Sequence, residues 1–188
     1  MLASAGNLAA VAVGLQASGD VRLSSASELG LKAGSITAGG SVNLSAANDL
    51  SLQPTPSYSS VIGNGTRSDL TRFTRTDIDA GGAVAIQSSA GLVTLDGAQI
   101  KSGASIAVQG LGVALLARKD LTKTTTTAGA TTTAPTTENL VQARLIAEGD
   151  IALLATGGKD AAGVEQGKLF IVRVHPPLRR RAVTAGAR

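Results

Sequence analysis

A short apolar–any–apolar triplet recurs through this chain at a single phase, and that recurrence narrows the available folds more than any other feature. It closes the segments Leu15-Gln-Ala-Ser-Gly-Asp-Val21-Arg-Leu23 and Ile36-Thr-Ala-Gly-Gly-Ser-Val42-Asn-Leu44. It closes three more: Ile78-Asp-Ala-Gly-Gly-Ala-Val84-Ala-Ile86, Ile100-Lys-Ser-Gly-Ala-Ser-Ile106-Ala-Val108 and Leu145-Ile-Ala-Glu-Gly-Asp-Ile151-Ala-Leu153. The steps from Val21 to Val42 and from Val84 to Ile106 each span one period of about 21 residues. The steps from Val42 to Val84 and from Ile106 to Ile151 are near doubles of it, so the phase survives two interruptions. A second triplet shares the period. Leu29-Gly-Leu31 and Leu50-Ser-Leu52 lie one such period apart, and Val93-Thr-Leu95 and Val113-Ala-Leu115 continue them after slips that a bulge or loop change absorbs. Leu8 precedes Leu29 by the same step. The apolar stretch Met1 to Leu15 therefore reads as a coil of the repeat; it also lacks the positive flank of a signal peptide.

Alternation over three residues puts alternate side chains on opposite faces of a β-strand. A strand that short has no stability alone. Stacked about 4.8 Å from a copy of itself it pairs its whole backbone, and aliphatic side chains at equal phase pile into ladders. The Gly, Ser, Asn and Asp residues between triplets are turn formers. Composition agrees: aromatics are 2% of residues and the 43% apolar share is mostly small aliphatics, which suit thin layers better than a wide core. The expected fold is all-β, a right-handed parallel β-helix, or solenoid, with coils of about 21 residues.

The expected organisation is coils over residues 1–52 and 76–118, a polar excursion or irregular coil over 53–75, a Thr-rich flexible loop over 119–139, a further coil over 140–160, and a degenerate basic tail over 161–188. The excursion at 53–75 fits either an extra coil or a protruding hairpin. Within the tail, Leu169-Phe-Ile-Val172 is a candidate extra strand, whereas Gly158-Lys159-Asp160 stands where the repeat calls for an apolar residue.

The phased segments resemble the repeats of filamentous haemagglutinin and, more broadly, of the large exoproteins of bacterial two-partner secretion, including contact-dependent inhibition toxins. The residues that carry the likeness are Thr76-Asp-Ile-Asp-Ala-Gly-Gly-Ala-Val-Ala-Ile86, Leu95-Asp-Gly-Ala-Gln-Ile-Lys-Ser-Gly103 and Val113-Ala-Leu-Leu-Ala-Arg-Lys-Asp120, and it extends over roughly residues 6–158. It implies a stiff shaft of a secreted adhesin at the cell surface, with an outer-membrane transporter as secretion partner and a host or neighbouring-cell glycan or protein as target. A stalk for toxin delivery is the alternative. No secretion domain or signal peptide is visible, so the chain is expected to be a piece of such a protein, self-associating through the open ends of its stack.

Chemistry is sparse. No catalytic residue, cofactor or metal site is expected: there is no cysteine, and the single His, His175, cannot build a zinc site or a convincing triad. Ala38-Gly39-Gly40-Ser41 lacks the Lys and helix of a phosphate loop. Asp77 and Asp79 flank Ile78 and share a strand face, the one pairing that suits a carbohydrate-active β-helix enzyme, yet acids at these turns are explained by hydrogen bonding to backbone. Net charge is +4, but Lys168, Arg173, Arg179, Arg180, Arg181 and Arg188 all follow the last acid, Glu165, and leave the body at −2. No nucleic-acid partner is therefore expected. The group best placed to bind a surface ligand is Arg67, Arg72, Phe73 and Arg75, with Tyr58 nearby, in the first excursion.

Overall fold

The structure, a computed structural model, describes residues 1–128, 131–159, 162–166 and 169–171. Among these every regular element is a β-strand. Stacked parallel strands form the walls of a solenoid. The first wall is the 6-stranded sheet Leu2–Ser4, Val21–Ser25, Val42–Ala46, Val84–Ser88, Ile106–Gly110 and Ile151–Ala155. The second stacks Leu8–Val11, Leu29–Lys32, Leu50–Gln53, Leu92–Asp96 and the first residues of Gly112–Ala128, with Leu169–Ile171 pairing in parallel onto Val113–Leu115. The third is the 5-stranded sheet Gly14–Ala17, Ser35–Ala38, Asp77–Ala80, Gln99–Ser102 and Arg144–Ala147.

The register follows the periodicity. Val21 pairs with Val42, Val42 with Val84, Val84 with Ile106 and Ile106 with Ile151. On the third wall the ladder runs Leu15, Ile36, Ile78, Ile100, Leu145. Inward residues of the middle coils are sealed: Leu44, Leu50, Leu52, Val93, Leu95 and Ile100 are all 0% exposed. Each sealed Leu or Ile contributes about 2–3 kcal/mol by leaving water. Among the described residues the buried hydrophobic side chains are all Val, Leu, Ile or Ala.

Polar turn residues satisfy the next coil. Asp20 Oδ1 accepts the Ser41 amide at 2.8 Å and Asp49 Oδ1 accepts the Leu92 amide at 2.8 Å. The buried hydroxyls of Ser25, Ser88 and Ser102 donate to turn carbonyls. Glycine in the turns after the third wall serves clearance. A Cβ on Gly81 would collide with the Gly39 carbonyl oxygen, and one on Gly103 with that of Gly81, while neither Gly39, Gly81 nor Gly103 holds a positive φ.

Between the second and third walls, plain coils turn through one left-handed residue: Ala12 (φ 52°), Ala33 (φ 50°) and Gly97 (φ 58°). At that same corner the chain twice leaves the shaft. Thr55–Gly63 and Thr66–Thr74 form an antiparallel hairpin, so residues 53–75 are not an extra coil. Asn64 (φ 48°) and Gly65 (φ 73°) make its two-residue turn, the left-handed pair that suits a twisted hairpin. The second departure corrects the expectation of a Thr-rich loop over 119–139. Gly112–Ala128 runs on outward as one strand, Thr136–Gln142 returns beside it, and Thr66–Thr74 pairs with its other edge. The physical reason is that Thr is β-branched and pairs well across strands; Ser68 and Thr124 hydroxyls, for example, lie 3.0 Å apart.

These strands build an antiparallel fin that stands off the shaft. Its strands follow the shaft's own levels. Thr55–Gly63 prolongs Leu50–Gln53, Gly112–Ala128 prolongs its own shaft portion, and Thr66–Thr74 fills the level between them. The chain at that middle level, Asp96-Gly97-Ala98, turns the corner instead. The tail expected from residue 161 is also partly structured, since Leu169–Ile171 belongs to the second wall and Glu165–Gln166 pairs with Gly158–Lys159.

Candidate functional site

All four sequence-selected residues lie on the fin's return strand or just beyond it. Strand alternation separates them: Arg67 and Phe73 share one face with Asp69, and Arg72 is exposed on the other. Arg67 is paired within the strand, its Nε donating to both carboxylate oxygens of Asp69 at 2.9 Å. Hydrogen bonds from the Ser60 hydroxyl and from Arg67, helped by the charges of Arg67 and Lys123, hold the Asp69 carboxyl below the usual range. Arg75 Nε lies 2.7 Å from Asp77 Oδ1. Its direction does not make a hydrogen bond, and Oδ1 accepts none. Asp79 faces Lys101 at 4.0 Å, so Asp77 and Asp79 each have their own cation.

Phe73 and Arg75 do help to line a groove of about 430 Å³ where the fin meets the third wall, together with Asp77, Val141 and Arg144. Opposite charges from Arg75, Asp77 and Arg144 meet there beside the apolar side chains of Phe73, Leu140 and Val141. Among the described residues no group of three or more His, Asp or Glu side chains is placed to hold a metal ion. His175 and Arg179, Arg180 and Arg181 lie outside the described residues.

What fixes the fin to the shaft was not evident from sequence. Asp96, with only 4% of its side chain exposed, ends the middle coil's second-wall strand. Arg118, on the outgoing fin strand, donates to it from Nε at 2.8 and 3.1 Å and from Nη2 at 2.5 Å. That hydrogen-bonded contact and the carboxylate charge raise the Arg118 pKa further. Where ladder pairing between the two fin strands stops at Thr71 and Leu121, the Asp120 carboxylate takes the Phe73 amide at 2.7 Å. At the hairpin's stem, fully buried Thr76 donates its hydroxyl to the Gln53 carbonyl at 3.0 Å. These supports leave the outer hairpin strand fully presented: Tyr58 is 75% exposed, Val61 67% and Ile62 75%. The signal that marks this hairpin in the sequence is the dipeptide Asn64-Gly65, the strongest short-range hairpin signature, which also matches a glycosylation sequon with Thr66.

Among known protein families, one described as hemagglutinin repeat matches residues 57–157, which contain most of the fin, the coil beneath it and the next first-wall strand. No curated protein and no solved structure matches the chain.

Proposed function

Because the chain belongs to the hemagglutinin-repeat family, a family of structural adhesin repeats rather than of enzymes, we propose that it is a shaft segment of a secreted, filamentous haemagglutinin-like surface protein, and that its fin contributes to attachment. The observation that carries this reading is the fin itself, a rigidly braced loop system on a uniform ladder that holds Tyr58, Val61 and Ile62 out in solvent. Binding residues usually sit on loops positioned by such scaffolds. The shaft's contribution is reach, about 4.8 Å for each coil added. On this reading an outer-membrane transporter is the secretion partner of the protein that carries the repeats, and the target is a glycan or protein on a host or neighbouring cell.

The test is to coat beads with the full chain and count their attachment to epithelial and bacterial cells. A second set of beads carries a variant in which residues 54–75 are replaced by the short corner of the neighbouring coil. Attachment that falls severalfold without the hairpin is the expected result. Beads of the intact chain that bind neither cell type overturn the adhesive role. A purely mechanical stalk, as in a toxin-delivery exoprotein, would give that second result.

A further inference from the structure

The outer strand of the fin, Thr55–Gly63, pairs on one side with Thr66–Thr74 and on the other with nothing among the described residues. Such an edge is a template for another strand, and soluble proteins normally protect it with charge, a bulge or proline. This strand carries no charged residue at all, and its proline, Pro56, sits near the shaft.

The hairpin's register shows which backbone groups face outward. Gly63 and Thr66 flank the two-residue turn, so they form a hydrogen-bonded pair, and alternate pairs follow inward at Val61, Ser59, Ser57 and Thr55. The amides and carbonyls of Tyr58, Ser60 and Ile62 therefore point to the free edge. So does the nitrogen of Pro56, where a missing donor costs the fin nothing. The side chains of Tyr58, Ser60 and Ile62 share one sheet face, with Tyr58 and Ile62 both 75% exposed.

We infer that this edge pairs with the same edge of a second copy of the chain, antiparallel about a two-fold axis through Ser60. The inference goes beyond attachment to a target, since it concerns how shafts meet one another. The edge is self-complementary. About that axis Ser60 faces the partner's Ser60 and exchanges both backbone hydrogen bonds with it. Tyr58 faces the partner's Ile62, and Ile62 the partner's Tyr58. These are aromatic–β-branched pairs, among the favourable cross-strand combinations. The next step outward sets Pro56 against the partner's Asn64, where proline has no donor and the turn has begun, so the ladder ends without a broken bond. No charge opposes a like charge, because the strand has none. An isologous contact of this kind closes at two copies. Counting strand residues from one shaft to the axis and on to the other puts the two shafts about 40 Å apart, antiparallel and bridged by a continuous sheet. The neighbouring coil makes room, since it turns its corner tightly at Ala33 without an excursion.

The test uses the full chain. Sedimentation over a range of concentrations should show a monomer–dimer equilibrium. Ser60→Pro removes an amide that the fin itself does not use, and should raise the dissociation constant about tenfold or more while the β-type spectrum is unchanged. Ser60→Ala, which also loses the hydroxyl that bonds Asp69 but keeps the amide, should dimerise as the parent does. A monomeric parent at high concentration overturns the inference. So does a Ser60→Pro chain that associates undiminished, which would place the contact at the open coil ends. Cross-linking decides the matter if Ser60→Pro fails to fold. The chain has no cysteine, and opposed residues of a hydrogen-bonded pair have Cα atoms about 5.5 Å apart, within disulfide reach. Ser60→Cys should oxidise to a dimer much faster than Ser68→Cys, which lies on the return strand; equal rates overturn the inference.

Discussion

Ala12 and Ala33 hold the left-handed conformation at a corner where the equivalent residue of a later coil is Gly97. An L-residue pays about 1–2 kcal/mol for that conformation, partly offset because glycine loses more freedom on folding. Ala33→Gly is therefore expected to stabilise the chain by about 0.5–1 kcal/mol. Gly97→Ala should do the reverse, by about 1–2 kcal/mol, because its Cβ would also press to 3.1 Å from Val141 Cγ1 at the fin's root. Opposite shifts of the urea midpoint check both. The same residues show where sequence misleads. Glycine in a repeat suggests turns with positive φ, yet Gly39, Gly81 and Gly103 are needed because backbones stack directly above one another. The strained φ falls on alanines, which carry no mark in the sequence.

Besides the strands that run on from shaft into fin, one buried acid and one half-exposed cation tie the two together. Removing the guanidinium in Arg118→Ala leaves Asp96 buried and unpaired; with half of the Arg118 side chain exposed, the cost is about 1–2 kcal/mol rather than that of a sealed pair. Adding Asp96→Asn should recover part of it, which a double-mutant cycle by chemical denaturation would measure. Restoration of nothing would mean that the pair is not what anchors the fin. The walls were legible in the sequence because their signal is long-range order: Val21, Val42, Val84, Ile106 and Ile151 repeat whatever lies between them, and they pair in that order. The fin has no period of its own. The Thr122–Thr127 run shows no apolar alternation, and its strand character comes from a partner, Thr66–Thr71, that lies two coils earlier in the chain. The group Arg67, Arg72, Phe73 and Arg75 looked like one cluster because it is compact in sequence. A strand with two faces divides it, and the ion pairs to Asp69 and Asp77 depend on neighbours that a list of cations omits.

Over the whole molecule, each coil touches only the coils above and below it, so length adds without any new design. The fin breaks that independence. A hairpin needs room for two strands, one going out and one coming back. Here the returning strand stands over the coil that makes no departure, and the next departure meets it in register. The lattice of the shaft and the lattice of the fin are commensurate, which imposes a parity rule: departures belong on every second level. Excising residues 84–105, one full turn of the shaft, leaves the walls in phase but assigns two strands to one berth. The walls should survive, with their β-type spectrum, while the displaced return strand becomes open to trypsin at Arg67 and Arg72. A variant that resists trypsin there as the parent does would break the rule. If the rule holds, a shaft decorated in this way can lengthen or shorten by two coils at a time, and the gain or loss of an odd number of coils between departures would be selected against.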